Sequence, residues 1–136
     1  MAEADKGCRV RLHRGWLELP RPHTAGEGAR RIAQWYEACG TRWLTARLPS
    51  YASRVGLPVP PVAAADLGSR WGALGQDGGI TVHWAVMQLP PSLVDLVLVH
   101  ELCPFRRELR RVLPDADARE DLFAKAEPEL WRGAVR

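Results

Sequence analysis

Hydrophobic and polar positions follow a helical spacing through the first half of the chain. Thr24 and Glu27 have the spacing of a capping box, and apolar residues then recur every three or four positions up to Trp43. This pattern predicts a helix over residues 25–48. Pro49 is expected to kink or restart it, because proline lacks the N–H that a helix interior needs.

Other stretches alternate with period two, as half-buried strands do. Residues 10–19 alternate on both sides of Arg14 and Gly15 and predict a short hairpin. Residues 60–67 are predicted to connect the helix to a strand. The best-defined alternation covers residues 80–87 and follows a glycine-rich turn, so a strand is expected there.

The second half contains an apolar segment, residues 92–103, whose periodicity does not separate a buried helix from a buried strand. Its valines favour a strand. Pro90 and Pro91 can open a helix, since proline at the first helical position loses only an unpaired donor. Two helical stretches are predicted after it, over residues 105–113 and 115–127.

Length and composition limit the possible classes. The chain has 136 residues, 46% of them hydrophobic and 26% charged, which fits one globular domain. The most apolar window, Leu93–Val99, is too short to span a bilayer and contains Asp95. No secretory signal is recognised in residues 1–9, and three cysteines without paired spacing indicate free thiols. A cytoplasmic protein without a membrane partner is therefore expected.

The charge is moderately basic. The 19 basic residues include only two lysines, Lys6 and Lys125, which leaves 17 arginines against 16 acidic residues. Arginine binds phosphate bidentately, so an anionic partner is one explanation of this excess. A genomic composition rich in alanine and arginine is the other.

One polar pair stands out at the end of the apolar segment. His100 and Glu101 follow the valine-rich segment directly, where an unpartnered polar group is costly to bury. In zinc hydrolases this pair opens the motif H-E-x-x-H, with two histidines one helical turn apart as ligands and the glutamate as base. Here Pro104 holds the second histidine's position. A structural pair at a helix end is the alternative.

The surrounding elements resemble, in order and spacing, the YgjP-like metallopeptidases, bacterial zincin-type proteins related to the SprT family. The resemblance runs from about Trp16 onward and rests on Arg70-Trp71-Gly72, on residues 79–84 and on residues 89–102. It implies an α+β, zincin-like fold with an N-terminal helical segment, a small antiparallel or mixed sheet, and a central His-Glu helix followed by C-terminal helices.

The same resemblance implies a single domain over residues 1–136, abbreviated at its N-terminus, with residues 1–8 expected to be disordered. It also makes residues 92–103 a helix. By position, His100 matches the first zinc ligand and Glu101 the catalytic general base. A segment of roughly ten residues that carries the other two histidines in the extended motif is missing between Cys103 and Pro104.

Zinc is the cofactor that the resemblance implies, but one histidine does not hold it tightly. Cys103, three residues after His100, and His83 on its strand are possible substitute ligands, with Glu108 as a third. Cys103 is otherwise a small buried hydrophobe, and His83 otherwise bonds within the sheet or caps the rim of the site. Arg70, Trp71 and Gly72 are expected to shape the site, with ordinary packing the alternative for Trp71.

The sequence therefore predicts a zinc metallopeptidase or metal-dependent hydrolase domain with weak or lost activity, acting on a peptide substrate. The alternative is a pseudoenzyme, a non-catalytic binding or scaffold domain with an arginine-rich surface for an anion or nucleic acid. A further alternative is nucleoside triphosphate pyrophosphatase activity, as in one family branch. That surface would comprise Arg106, Arg107, Arg110 and Arg111, although a solvated helix face explains the same spacing.

Overall fold

The computed structural model describes residues 24–134, together with the backbone of residues 11–13 and 16–18. Strands β1 (Arg11–His13) and β2 (Trp16–Glu18) pair antiparallel, which confirms the N-terminal hairpin. The expectation for residues 1–8 lies outside the described residues.

Helix α1 (Ala25–Val55) begins as the capping pattern predicts, since the Thr24 hydroxyl oxygen accepts a hydrogen bond from the Glu27 N–H at 3.0 Å. The helix continues through Pro49 and ends at Gly56, whose φ of 81° forms a left-handed cap. Pro49 has no N–H to donate to the Thr45 carbonyl. Thr45 and Pro49 are both exposed. Water can therefore satisfy that carbonyl, and the helix does not restart.

A three-stranded mixed sheet lies against α1. Strands β3 (Val62–Ala65), β4 (Gly72–Leu74) and β5 (Ile80–His83) are ordered β3-β5-β4, with β3 parallel and β4 antiparallel to β5. Gly40 allows the close approach of α1, because a Cβ there would lie 3.0 Å from that of Ala64.

The strand predicted over residues 80–87 is shorter than its alternation indicates. β5 ends at His83, and Trp84–Gln88 form a 3₁₀ helix. The His83 ring nitrogen Nδ1 accepts a hydrogen bond from the Ala85 N–H at 3.0 Å and so caps this helix. Trp84, Ala85 and Val86 are all buried in this turn, so their burial does not follow the alternation of the pattern.

Residues Pro91–Leu102 form a helix, α2, as the family resemblance implies and against the strand preference of its valines. Every residue from Leu93 to Val99 is buried, because α1, the sheet and the later helices surround α2. This enclosure explains why the segment, apart from Asp95, is apolar on every face of the helix.

Helices α3 (Arg106–Val112) and α4 (Ala116–Ala126) follow, close to their predicted positions, and a second 3₁₀ helix covers Glu127–Glu129. Leu109 and Ala116 anchor them to the core. The architecture is α+β, as predicted. Among the described residues, no helix combines the length and apolarity needed to cross a membrane.

Candidate functional site

His100 and Glu101 lie in the last turn of α2. The helix ends because Pro104 has no N–H to continue it, and the Cys103 N–H makes the final bond to the Val99 carbonyl at 2.7 Å. The His100 side chain is 56% exposed and that of Glu101 17%. Their closest polar atoms, His100 Nδ1 and Glu101 Oε2, are 3.4 Å apart, so the two side chains are neighbours without a tight bond.

Gly72, at the start of β4, leaves the space that Glu101 occupies. A Cβ on Gly72 would lie 2.8 Å from Cγ and 3.0 Å from Cδ of Glu101. Any larger residue at this position would push the carboxylate away. The structure thus brings the Arg-Trp-Gly element and the His-Glu pair together, as a site-shaping role requires, while Arg70 itself is exposed.

An open cleft of about 420 Å³ borders the pair, between α2, the start of β4 and α4. Most of its surface is apolar, and aromatic and aliphatic side chains line it together with a few charged groups. We call it the Glu101 cleft; its lining residues are Trp71, Gly72, Leu96, Val97, His100, Glu101, Arg106, Glu120 and Phe123.

His83 is buried and both of its ring nitrogens face polar partners. Nδ1 accepts the Ala85 N–H, and Nε2 lies 3.4 Å from Asp66 Oδ1. Burial lowers the pKa of His83 and the nearby Arg132 guanidinium lowers it further, whereas Asp66 acts in the opposite direction. His83 is not among the residues that line the Glu101 cleft. The partners of its ring are Ala85 in the following 3₁₀ helix and Asp66 directly after β3, so the ring does not bond within the sheet.

Cys103 is 2% exposed and belongs to the hydrophobic core. Burial raises the pKa of its thiol, and the Glu108 carboxylate raises it further. Cys103 is also not among the residues that line the Glu101 cleft.

A zinc ion does not fit the side chains around the pair. Within residues 24–134, no three histidine, cysteine, aspartate or glutamate side chains lie close enough to hold a metal. Zinc needs about three protein ligands in a catalytic site. Of the substitutes, His83 and Cys103 are buried and do not line the cleft. Arg106, Glu120 and Phe123 line it with Glu101.

The arginines of α3 are mostly paired with acidic residues. Arg106 bonds to Asp117 at 3.1 Å and to Glu120 at 3.2 Å. Arg110 bonds to the same Asp117 at 3.1 Å, and Arg111 to Glu108 at 2.8 Å. Arg107 is exposed. Acidic groups on α3 and α4 thus balance most of this charge, which favours a solvated, neutralised helix face.

Sequence reasoning missed two groups. Asp95, 1% exposed on α2, accepts hydrogen bonds from Arg47 Nη2 and from the Tyr51 hydroxyl, both at 2.7 Å, and ties α2 to α1. The sequence feature that could have identified Asp95 is a single aspartate within an apolar segment. The other group is Glu120 and Phe123, which line the cleft from α4. Their spacing is common to exposed helices, so nothing in the sequence singles them out.

Comparison with known proteins gives one family. The family model described as YgjP-like, metallopeptidase domain, matches residues 8–122. Neither the curated proteins nor the solved structures contain a significant match to the chain.

Proposed function

Because the chain belongs to the YgjP-like metallopeptidase family, we propose that it is a member with little or no hydrolytic activity, and that it uses the Glu101 cleft for binding. The family consists of metal-dependent hydrolases, for which a peptide is a fitting substrate.

The observation that carries the proposal is the set of side chains around Glu101. One exposed histidine lies beside the glutamate, and Pro104 occupies the position of the second motif histidine. Without a held metal, no Lewis acid activates water or stabilises the oxyanion of peptide hydrolysis. Glu101 alone is then a cleft carboxylate rather than a general base.

The cleft itself supports a binding role. It keeps an apolar, aromatic-walled concavity of about 420 Å³, which is within the range of ligand sites. The α3 arginines support an anion surface less well, since Arg106, Arg110 and Arg111 already pair with acidic residues. We therefore assign binding to the cleft in preference to that surface.

Zinc content tests the proposal directly. The purified full chain, loaded with excess zinc and then dialysed, is compared with His100→Ala by elemental analysis. Peptide hydrolysis is measured in parallel with Glu101→Gln. We expect far less than one zinc per chain, the same in both proteins, and no hydrolysis that depends on Glu101.

One zinc per chain that disappears in His100→Ala, together with hydrolysis lost in Glu101→Gln, would overturn the proposal. A variant with Cys8, His13 and His23 replaced by alanine extends the test to donor side chains outside the described residues. It should also leave the zinc content unchanged.

A further inference from the structure

The Glu101 cleft combines apolar walls with a carboxylate. Trp71 and Phe123 supply aromatic surface, with their ring centroids 5.9 Å apart and their planes at 78°. Leu96 and Val97 add aliphatic surface from α2. A ligand that fills this space therefore needs an apolar part.

Within residues 24–134, the Glu101 carboxylate has no strong hydrogen-bonding partner. Among the described side chains, the hydrogen-bonding contact of Glu101 is with His100 Nδ1, and its 3.4 Å exceeds the length of a well-formed bond. A carboxylate beside apolar surface is costly unless a charge or hydrogen-bond donor pairs with it. This group therefore favours a ligand with a cationic end.

The other charges of the cleft strengthen this preference. The Arg106 guanidinium is shared by Glu120 and by Asp117. Glu101, Glu120 and Arg106 give the lining two carboxylates and one guanidinium, so its formal charge is negative when His100 is neutral. An anionic ligand would meet this charge unfavourably.

The aromatic wall also suits a cation. The Arg132 guanidinium carbon lies 3.8 Å from the centroid of a Trp71 ring, a cation-π contact. Arg132 belongs to the C-terminal tail and is not among the residues that line the cleft. The contact shows that the Trp71 ring accepts a cation on one face, and Phe123 adds a second ring to the lining for an ammonium group beside Glu101.

We propose that the Glu101 cleft binds an organic cation, an ammonium group carried on an apolar chain or ring. Its charge pairs with the Glu101 carboxylate and its apolar part packs on Trp71 and Phe123. The ammonium comes from a free amine or from a lysine side chain of a peptide. The inference rests on the proposed function, since an active zinc hydrolase would use the same carboxylate as its general base.

Three compounds with the same phenylethyl group test the charge preference: phenethylammonium, 2-phenylethanol and 3-phenylpropanoate. Each is titrated into the full chain in a chelating buffer, and amide shifts are followed by NMR. We expect the ammonium compound to bind at least about tenfold more tightly than the carboxylate, or about 1.4 kcal/mol, with the alcohol between them.

Matched variants locate the effect. Glu101→Gln should bring the three affinities together, and Phe123→Leu should weaken all three. Glu108→Gln removes a glutamate that pairs with Arg111 and is not part of the lining, so it should keep the preference. Equal binding of the three compounds, no binding, or an unchanged preference in Glu101→Gln would overturn the inference.

A five-residue peptide with one central lysine distinguishes a lysine side chain from a free amine as the source of the ammonium group. Its Nε-acetyl counterpart, which lacks the lysine charge, is the control. Tighter binding of the unmodified peptide than of phenethylammonium supports the lysine side chain, and the reverse supports a free amine. The zinc measurement distinguishes failure of the proposed function from failure of the ammonium inference. Stoichiometric zinc defeats the proposed function, whereas a zinc-free protein without ammonium preference defeats this inference alone.

Discussion

The absence of a side chain at Gly72 determines where the Glu101 side chain lies. The Glu101 side chain passes over Gly72, and only hydrogen at that α-carbon leaves room for it. The carboxylate is therefore positioned by β4 as well as by its own helix. This explains why the Arg-Trp-Gly element and the His-Glu pair, distant in sequence, belong to one site.

Gly72→Ala should displace the Glu101 side chain. The new Cβ would lie 2.8 Å from Glu101 Cγ, and overpacking of this kind costs about 1–3 kcal/mol. We expect a loss near the lower limit, because a partly exposed glutamate can rotate. Urea denaturation measures it, and the ammonium preference should fall as well. Gly26→Ala, whose Cβ would have 3.9 Å of space, is the control and should not destabilise the chain.

Asp95 is the buried charge of the core. It accepts hydrogen bonds from Arg47 Nε and Nη2 and from the Tyr51 hydroxyl. The Arg47 side chain is 47% exposed, so it can regain water if its partner is lost. The cost of losing Asp95 is therefore smaller than for a fully buried pair.

Asp95→Asn should lower the free energy of unfolding by about 1.5–3 kcal/mol, the range for hydrogen bonds to charged groups. Tyr51→Phe removes one of these bonds and keeps the ion pair, so it should cost less. Urea denaturation of both variants gives the comparison. Wild-type stability in Asp95→Asn would contradict the structural role of the pair.

At the scale of elements, the end of α2 separates His100 from the next helix. Cys103 has φ and ψ of −127° and 80°, outside the helical region, and Phe105 is the N-cap of α3. Leu109 and Val112 hold α3 in the core. Extending α2 by a turn would pull these residues out, so the break does not depend on Pro104 alone.

Pro104→His should therefore fail to create a zinc site, although it restores the letters of H-E-x-x-H. The new histidine would follow a non-helical residue and would not share the helix face of His100. Elemental analysis should give the zinc content of the wild type, and of the control Pro114→His at the exposed α3-α4 junction. A full zinc equivalent only in Pro104→His would contradict this geometry.

The elements differ in how far their sequences determined them. The capping pattern of α1 and the alternation of β5 are local signals, and both elements begin where they were predicted, although neither ends there. The 3₁₀ turn after His83 and the helical state of α2 depend on tertiary enclosure, which hydrophobic periodicity does not contain. The helix α2 was predictable only from the family resemblance.

The same limit applies to the site. A two-residue motif singled out His100 and Glu101 in the sequence, and both line the cleft. The contribution of Glu120 and Phe123 depends on how α4 folds back over α2. Nothing in the spacing of an amphipathic helix specifies the element that it will face.

At the scale of the whole molecule, the C-terminal tail closes the fold around an aromatic cluster. Trp131 packs edge-on against Trp84, with their centroids 5.3 Å apart, and its carbonyl accepts a hydrogen bond from Gln88. Arg132 stacks on Trp71. The tail thus encloses His83, which lies between Trp71 and Trp84, and places a positive charge near it.

This enclosure should make stability depend on pH through His83. Burial and Arg132 lower the pKa of His83 in the folded state, so the unfolded chain binds the proton more readily. Stability is then complete above the ordinary histidine pKa of 6.5 and falls as the pH decreases below it, by at most about 1.4 kcal/mol per pH unit.

Two substitutions should change this dependence in opposite directions. Arg132→Gln removes a charge that lowers the pKa of His83, so less stability should be lost on acidification. Asp66→Asn removes the charge that raises it, so more should be lost. Urea denaturation from about pH 8 to pH 5 measures both against the wild type and against His83→Asn, which keeps a capping acceptor but does not titrate. An identical pH dependence in all four proteins would mean that His83 is not the group that couples the tail to stability.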